Sequence, residues 1–438
     1  MKKIALAGMT ALAVGTALTL TSADSRQVQA QVIGAALRSA KAGTTPGDGR
    51  DAGNAAMRGR YIATAADCIA CHTAPGAGKP FGGGNVLQTP FGKLVASNVT
   101  PDRETGIGAW TEADFVQAVR RGKGRHGEYL YPAMPYNKYV KISDEDMHDL
   151  WVYMQTVEPV SNKVVSNQLS FPFNIRLLMF GWNLLFFDDT PFRPDPQRSA
   201  QWNRGAYLVQ GLAHCESCHT PKNFLGADRK GMTMQGATLA GWYAPEVTGN
   251  RYVGVGNWSV PSLVEYLKTG ANDVAVAAGP MAEAVTNSTQ YLSDADLTAM
   301  AFYLASLPGS RQRKPVAIAA DDSQMKLGRH LYEVNCAACH RSTGSGVAGM
   351  IPALAGSASL QAAGTASLIR TVLLGDRAAI TAHAPTGAAM PAFSWKLSDE
   401  QIAAVLTYSR NSWGNAASRV SAAAVKDVRN ELKPPGLQ

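Results

Sequence analysis

The first strong pattern along the chain is an apolar run over residues 4–20, set behind Met1-Lys2-Lys3 and ahead of Val28-Gln29-Ala30. A basic start, an apolar middle and a small-x-small exit predict a signal peptide over 1–30, with an uncleaved N-terminal anchor as the alternative. Residues 31–55 are Ala/Gly-rich and aperiodic, a flexible lead. Beyond them apolar residues recur at helical spacing. Three such helices share a start signal: Ile142-Ser143-Asp-Glu-Asp146, Leu292-Ser293-Asp-Ala-Asp296 and Leu397-Ser398-Asp-Glu-Gln401. A serine N-cap, acids in the first turn and an acid or amide at the third position predict capping boxes. Their apolar faces follow at Met147, Leu150, Trp151 and Met154, at Leu297, Met300, Ala301 and Leu304, and at Ile402, Val405 and Leu406. Two further helices, 115–122 and 263–270, close on glycines suited to a C-cap. Short helical runs also open with Gly59-Arg-Tyr61, Gly205-Ala-Tyr207 and Gly328-Arg-His330.

The most apolar stretch after the leader is 171–187, Phe-Pro-Phe-Asn-Ile-Arg-Leu-Leu-Met-Phe-Gly-Trp-Asn-Leu-Leu-Phe-Phe. Its continuous part, 177–187, is too short to cross a bilayer. Apolar residues lie on every side of the projected helix, so something must cover it all round. Packing between domains or against a partner subunit is one reading; in-plane membrane contact near a quinone is the other. After residue 415 a short amphipathic helix through Val420, Val425, Val428 and Leu432 is stopped by Pro434-Pro435.

Chemistry enters with the cysteines. All six fall in three motifs, Cys68-Ile-Ala-Cys71-His72, Cys215-Glu-Ser-Cys218-His219 and Cys336-Ala-Ala-Cys339-His340. On a helix, residues three and four apart share a face, so both thiols and the imidazole project together. The thiols can bond the two vinyl groups of a heme while the imidazole reaches its iron. A zinc site would need the pairs to combine into four-ligand sets, and a redox dithiol has no use for the histidine. Three covalent heme c groups are therefore predicted. Methionines supply the sixth ligands: Met134 and Met281 each lie 62 residues after His72 and His219, and Met390 lies 50 after His340. Each is flanked by Pro or Gly, which predicts a loop that can lie across the distal heme face. Met350, Met232 and Met234 follow their histidines too closely to cross to that face. His126, His148, His214, His330 and His383 read as surface or packing residues, with a bis-histidine iron as the minority alternative.

The motifs also reveal a repeat, since Cys68 and Cys215, and Met134 and Met281, are all 147 residues apart. Between motif and methionine, Gly106-Ile-Gly-Ala-Trp110 matches Gly254-Val-Gly-Asn-Trp258. The predicted plan is all-α, three tandem cytochrome c-type domains at 56–160, 201–310 and 325–415, each around one heme. An apolar connector (161–200), a linker (311–324) and a C-terminal tail (416–438) complete it. Net charge is +8, or +6 without the leader's Lys2, Lys3, Arg26 and Asp24, a mild excess that needs no nucleic acid.

These motifs, together with SNVTPD (97–102), YPAMPY (131–136), WNRGAYLV (202–209) and GPMAEA (279–284), resemble the triheme cytochrome c subunits of membrane-associated periplasmic dehydrogenases of acetic acid bacteria and their relatives. The resemblance spans nearly the whole mature chain. It implies axial pairs His72 and Met134, His219 and Met281, and His340 and Met390. It further implies no catalytic residue for substrate here, a catalytic partner subunit, ubiquinone as electron acceptor, and a peripheral place on the periplasmic face of the cytoplasmic membrane. Residues 171–187 resemble the version paired with molybdopterin aldehyde dehydrogenases that carry a small iron–sulfur subunit. Flavin-dependent fructose, gluconate or sorbitol dehydrogenases and quinoprotein alcohol dehydrogenases are close alternatives. Two other classes are a soluble donor to a terminal oxidase and a heme enzyme such as a peroxidase.

Overall fold

The computed structural model describes residues 54–432. The signal peptide expected over 1–30 and nearly all of the lead over 31–55 lie outside the described residues. In the first repeat α1 (Ala55–Ala65) leads into the short α2 (Cys68–His72). A hairpin of β1 (Val86–Thr89) and β2 (Gly92–Val95) follows, then α3 (Glu112–Arg121), α4 (Tyr136–Tyr139) and α5 (Asp144–Met154). The connector supplies β3 (Asn167–Leu169), antiparallel to β2, and α6 (Leu178–Phe186). The second repeat holds α7 (Ala200–Tyr207), a π-helical turn at Leu208–Leu212, α8 (Glu216–His219), β4 (Gln235–Leu239), β5 (Trp242–Glu246), α9 (Val260–Thr269), α10 (Gly279–Asn287) and α11 (Asp294–Ser306). The third holds α12 (Ser323–Asn335), α13 (Ala337–His340), α14 (Ala358–Gln361), α15 (Ala366–Leu374), β6 (Asp376–Arg377), β7 (Ala389–Met390) and α16 (Asp399–Ser409), and α17 (Ala422–Glu431) follows it.

The chain is mostly helical, but the all-α expectation needs correction. Among the described residues there are three small antiparallel sheets, β1-β2-β3, β4-β5 and β6-β7. Strands of two to five residues give too few alternations for a period-two signal. What makes the β4-β5 hairpin is its turn: Ala240 and Gly241 both have positive φ, 49° and 76°, which matches the twist of the flanking strands.

The most extensive helix–helix packings are α1 on α5, α7 on α11 and α12 on α16. Each first helix starts before the glycine at which the sequence placed it, capped by Asn54, Ser199 or Asp322. The glycine is therefore internal, where it costs about 1 kcal/mol relative to alanine. Close approach explains it. A Cβ on Gly59 would stand 1.8 Å from the Asp149 carbonyl oxygen, one on Gly205 2.0 Å from that of Ala299, and one on Gly328 2.2 Å from that of Ala404. The same Cβ atoms would meet Tyr153, Tyr303 and Tyr408 one turn further on. Beside the first two crossings a buried bidentate ion pair locks the helices: Arg58 with Asp149 at 2.6 and 2.8 Å, and Arg204 with Asp296 at 2.7 and 2.8 Å.

Ser143, Ser293 and Ser398 are N-caps as the sequence predicts, but of these three only Ser398 closes a full capping box, with Gln401. In the other two the acid at the third position turns to the neighbouring repeat. Tyr207 receives a hydrogen bond from the Ser143 amide and donates to Asp146 at 2.5 Å. Tyr61 receives one from the Ser293 amide and donates to Asp296 at 2.6 Å. Each tyrosine thus relays the reach-back bond of the other repeat's cap, and the two repeats meet about a local twofold. Their buried side chains form one continuous core, including Ile62, Leu150, Leu208 and Leu297. The third repeat has its own core, in which Tyr332, Ile369, Ile402 and Val405 pack with Val420, Val425 and Val428 from beyond residue 415.

Two substitutions test these contacts in thermal melts. Gly205→Ala should destabilise the protein by about 1–3 kcal/mol by forcing the crossing apart. Tyr207→Phe should cost about 1–3 kcal/mol by leaving the Ser143 amide and Asp146 without their partner. An unchanged melting temperature for either would remove that contact from the account.

Candidate functional site

Each cysteine motif occupies its own helical turn because the backbone breaks just before it or on its first residue. Asp67 and His214 are left-handed, with φ of 50° and 36°, and Cys336 leaves the helical region at φ −121°. The breaks let Cys-x-x-Cys-His swing away from the axis of the first helix. All six cysteines are free thiols, so none is spent on a disulfide. Burial pushes Cys68, Cys71 and Cys215 up to about 12 and Cys336 up to about 11. Protonated, buried sulfurs of this kind are poor nucleophiles, which counts against a thiol–disulfide redox role.

The histidines carry the clearest geometry. His72 Nδ1 lies 2.7 Å from the Ser97 carbonyl oxygen, His219 Nδ1 2.6 Å from that of Pro245, and His340 Nδ1 3.2 Å from that of Pro352. A carbonyl only accepts, so Nδ1 carries the proton and Nε2 keeps its lone pair for a metal. Desolvation lowers the proton affinity of all three rings below the ordinary histidine range and keeps them neutral, the form that ligates iron. The donor set therefore fits heme c. Cys68, Cys71 and His72 would hold one group, Cys215, Cys218 and His219 a second, and Cys336, Cys339 and His340 a third.

The methionines differ in local setting from the expected loops. Met134 does lie in a turn, between Tyr131 and Pro135, and packs beside Tyr136 and Trp182. Met281 sits in the first turn of α10, which begins on Gly279-Pro280 and packs on α2. Met390 lies in β7, paired with Asp376 in β6. Proline and glycine here start a helix and flank a strand instead of making a loop. The rival methionines belong to the segments that orient the histidines. Met234 borders β4, the partner of the strand bearing Pro245, and Met350 is hydrogen-bonded beside Ile351 and Pro352.

Three features escaped the sequence reading. The orienting carbonyls are backbone groups without a side-chain signature. The Tyr61 and Tyr207 relays were visible only as repeated residues. Lys138, four residues after Met134, is buried between Glu216 of the second motif at 2.5 Å and Asp228 at 2.7 Å, and its partners lie far away in sequence.

Pyridine hemochrome analysis of the exported protein should give three hemes per chain, and Cys215→Ser with Cys218→Ser should give two. Met390→Ala should keep three hemes but let one iron bind carbon monoxide. A count of three in the double variant would contradict attachment at those cysteines.

Comparison with known proteins places the chain. The family model described as cytochrome c matches residues 56–158 and 325–413. The chain is 38% identical to the gluconate 2-dehydrogenase cytochrome c subunit of Pantoea cypripedii, over 87% of this chain and 90% of that subunit. It is 39% identical to the fructose dehydrogenase cytochrome subunit of Gluconobacter japonicus, over 85% of this chain and 82% of the other. To the alcohol dehydrogenase (quinone) cytochrome c subunit of Gluconobacter oxydans it is 37% identical, over 86% and 82%. With this identity sustained over nearly their whole length, the chain belongs to the family of dehydrogenase cytochrome c subunits, which carry covalently bound heme c.

Proposed function

We propose that this chain is the electron-transfer subunit of a periplasmic, membrane-associated dehydrogenase complex, with three cytochrome c-type domains over 56–160, 201–310 and 325–415 and one heme c in each. The observation that carries the reading is the threefold His–carbonyl bond behind each cysteine pair, which presets three imidazoles for iron. With Met134, Met281 and Met390 as sixth ligands each iron is closed to substrate and cycles by single electrons, the chemistry the bound hemes supply. The chain's own part is to space and shield them. The second repeat contacts both others. Tyr61 and Lys138 reach it from the first, while Asp376 Oδ1 accepts from the Gly279 amide at 3.2 Å and the Ile380 amide donates to Thr286 at 3.1 Å from the third. This supports a relay with the second heme in the middle. Two electrons leave a substrate on the catalytic subunit, pass singly along the chain, and with two protons convert ubiquinone to ubiquinol.

For the partner we favour a molybdopterin aldehyde dehydrogenase with an iron–sulfur subunit, on the resemblance of residues 171–187. Relatives named for gluconate, fructose and alcohol stand at nearly equal identity, 37–39%, so the partner is an experimental question.

Membrane contact is assigned to α6 and its surroundings. The sequence asks for cover on all sides, but the fold covers only one. Trp182 is buried against Tyr136 and bonded to the Leu225 carbonyl, while Leu177, Leu184 and Leu185 are 71%, 78% and 66% exposed. Phe171 and Phe224 are also exposed, and Lys141 and Lys230 lie near Asp188 at the end of the helix. An apolar face with lysines at its edge suits an in-plane position among anionic headgroups. No described helix is long and apolar enough to cross a membrane.

The complex purified from native membranes should reduce a ubiquinone analogue with its substrate; a complex that reduces only soluble cytochromes or an oxidase would contradict the quinone assignment. A co-purifying flavoprotein or quinoprotein, in place of a molybdopterin subunit, would overturn the aldehyde assignment alone. In flotation with phosphatidylethanolamine–phosphatidylglycerol vesicles, Leu177→Glu, Leu184→Glu and Leu185→Glu together should abolish binding and leave the catalytic subunit attached. Retained vesicle binding with loss of that subunit would make α6 a partner interface.

A further inference from the structure

The seam between the first two repeats is nearly symmetric, and its asymmetric position carries a buried carboxyl oxygen with no described hydrogen-bond partner. Asp67 and His214 occupy matching places, each directly before its cysteine pair and each left-handed. His214 is accounted for: Nε2 lies 3.3 Å from the Ala66 carbonyl oxygen, and its ring meets Tyr139 edge to face at 5.5 Å. Asp67 is not. Its Oδ1 is buried and accepts no hydrogen bond from any described residue.

On the Glu216 side, Lys138 and Lys222 neutralise Glu216 and Asp228. The groups facing Asp67 are the sulfurs of Cys68 and Cys71 in α2, Tyr139 from α4, His214 from the second repeat and Glu283 from α10. None is a cation in its neutral-pH form here, since burial also keeps His214 uncharged. Burial first, and the neighbouring Glu283 charge second, hold the Asp67 carboxyl well above the ordinary carboxylate range.

We propose that Asp67 is a proton-binding site coupled to the electron on the heme attached at Cys68 and Cys71. Oxidised heme carries one more positive charge than reduced heme, and that charge favours the ionised carboxyl. On reduction an electron arrives from the preceding carrier and Asp67 takes a proton from solvent, forming one O–H bond. On oxidation the electron leaves to the next carrier, that bond breaks, and the proton returns to water. A unit charge beside a buried group changes its proton affinity roughly tenfold or more. Linkage then requires the heme's electron affinity to fall as pH rises between the two proton affinities of Asp67, above the usual carboxylate range. At Lys138 the ion cluster is already balanced, so the second repeat has no equivalent site.

The inference rests on heme attachment at Cys68 and Cys71, so heme count is measured alongside it. Spectroelectrochemical titration of the intact holoprotein across about pH 5 to 9 should resolve three one-electron components. One of them should lose up to tenfold in electron affinity per tenfold fall in proton activity. Asp67→Asn has the same shape and tolerates the left-handed backbone. It should keep three hemes, make that component independent of pH and raise its electron affinity at the alkaline end. A pH-dependent component left unchanged in Asp67→Asn would assign the proton elsewhere and overturn the proposal. Reduced-minus-oxidised infrared spectra of the unaltered protein give a second readout. A protonated-carboxyl band should appear on reduction, and its absence would equally overturn the proposal. Fewer than three hemes in the unaltered protein would instead refute the attachment reading.

Discussion

The structure depends on backbone contact at three helix crossings. In each repeat a glycine in the middle of the first helix lets it lie directly on a carbonyl of the last helix, at Gly59 and Asp149, Gly205 and Ala299, and Gly328 and Ala404. That contact fixes the first helix, and the cysteine motif is suspended from it by a short tether. Nine residues separate Gly59 from Cys68, ten separate Gly205 from Cys215, and eight separate Gly328 from Cys336. The extra residue of the second repeat relative to the first coincides with the π-helical turn at Leu208–Leu212. An inserted residue absorbed as a π-bulge keeps the flanking helix in place, so the motif keeps its relation to the crossing. The geometry of the histidine then follows from the strand or loop that brings a carbonyl to its Nδ1.

The first two repeats are more than neighbours. Tyr61 and Tyr207 each complete a helix cap in the other repeat; inside their own repeats Arg58 pairs with Asp149, one turn beyond the capped Asp146, and Arg204 pairs with Asp296 itself, the acid that also holds Tyr61. Stability is thereby shared: loosening one cap exposes the carboxylate that anchors the other repeat's tyrosine. The third repeat closes its own capping box with Gln401 and keeps a separate core, joined to the second through Tyr252, which donates to the Ala416 carbonyl at 2.5 Å, and through Ser367 against Tyr243. One pair fused by reciprocal contacts and one attached unit suit a relay whose ends face different partners.

Much of this was legible in the sequence. The CxxCH motifs, the Ser143, Ser293 and Ser398 caps, and the left-handed C-cap glycines Gly122 and Gly270 all stand where local chemistry places them, because spacing along a helix determines which groups share a face. The rest depends on contacts between distant segments. Asp146 and Asp296 carry a capping-box signature, yet a tyrosine more than sixty residues away takes their carboxylates. Gly59 reads as a helix opening because an internal glycine is unfavourable until a second backbone presses on it. The β4-β5 hairpin hides in strands too short to show alternation, and the Ser97, Pro245 and Pro352 carbonyls carry no residue-type signal at all. Exposure of Leu184 and Leu185 could not be read either, since an all-round apolar helix looks the same whether the chain or something else covers it.

The central claim is that electrons from a dehydrogenase traverse all three hemes. Rapid-mixing spectroscopy of the purified complex with its substrate, in the absence of acceptor, tests it most directly. The account predicts that all three hemes are reduced at rates no slower than steady-state turnover and that adding a quinone analogue reoxidises all three. A heme that stays oxidised, or is reduced more slowly than the complex turns over, would contradict the relay.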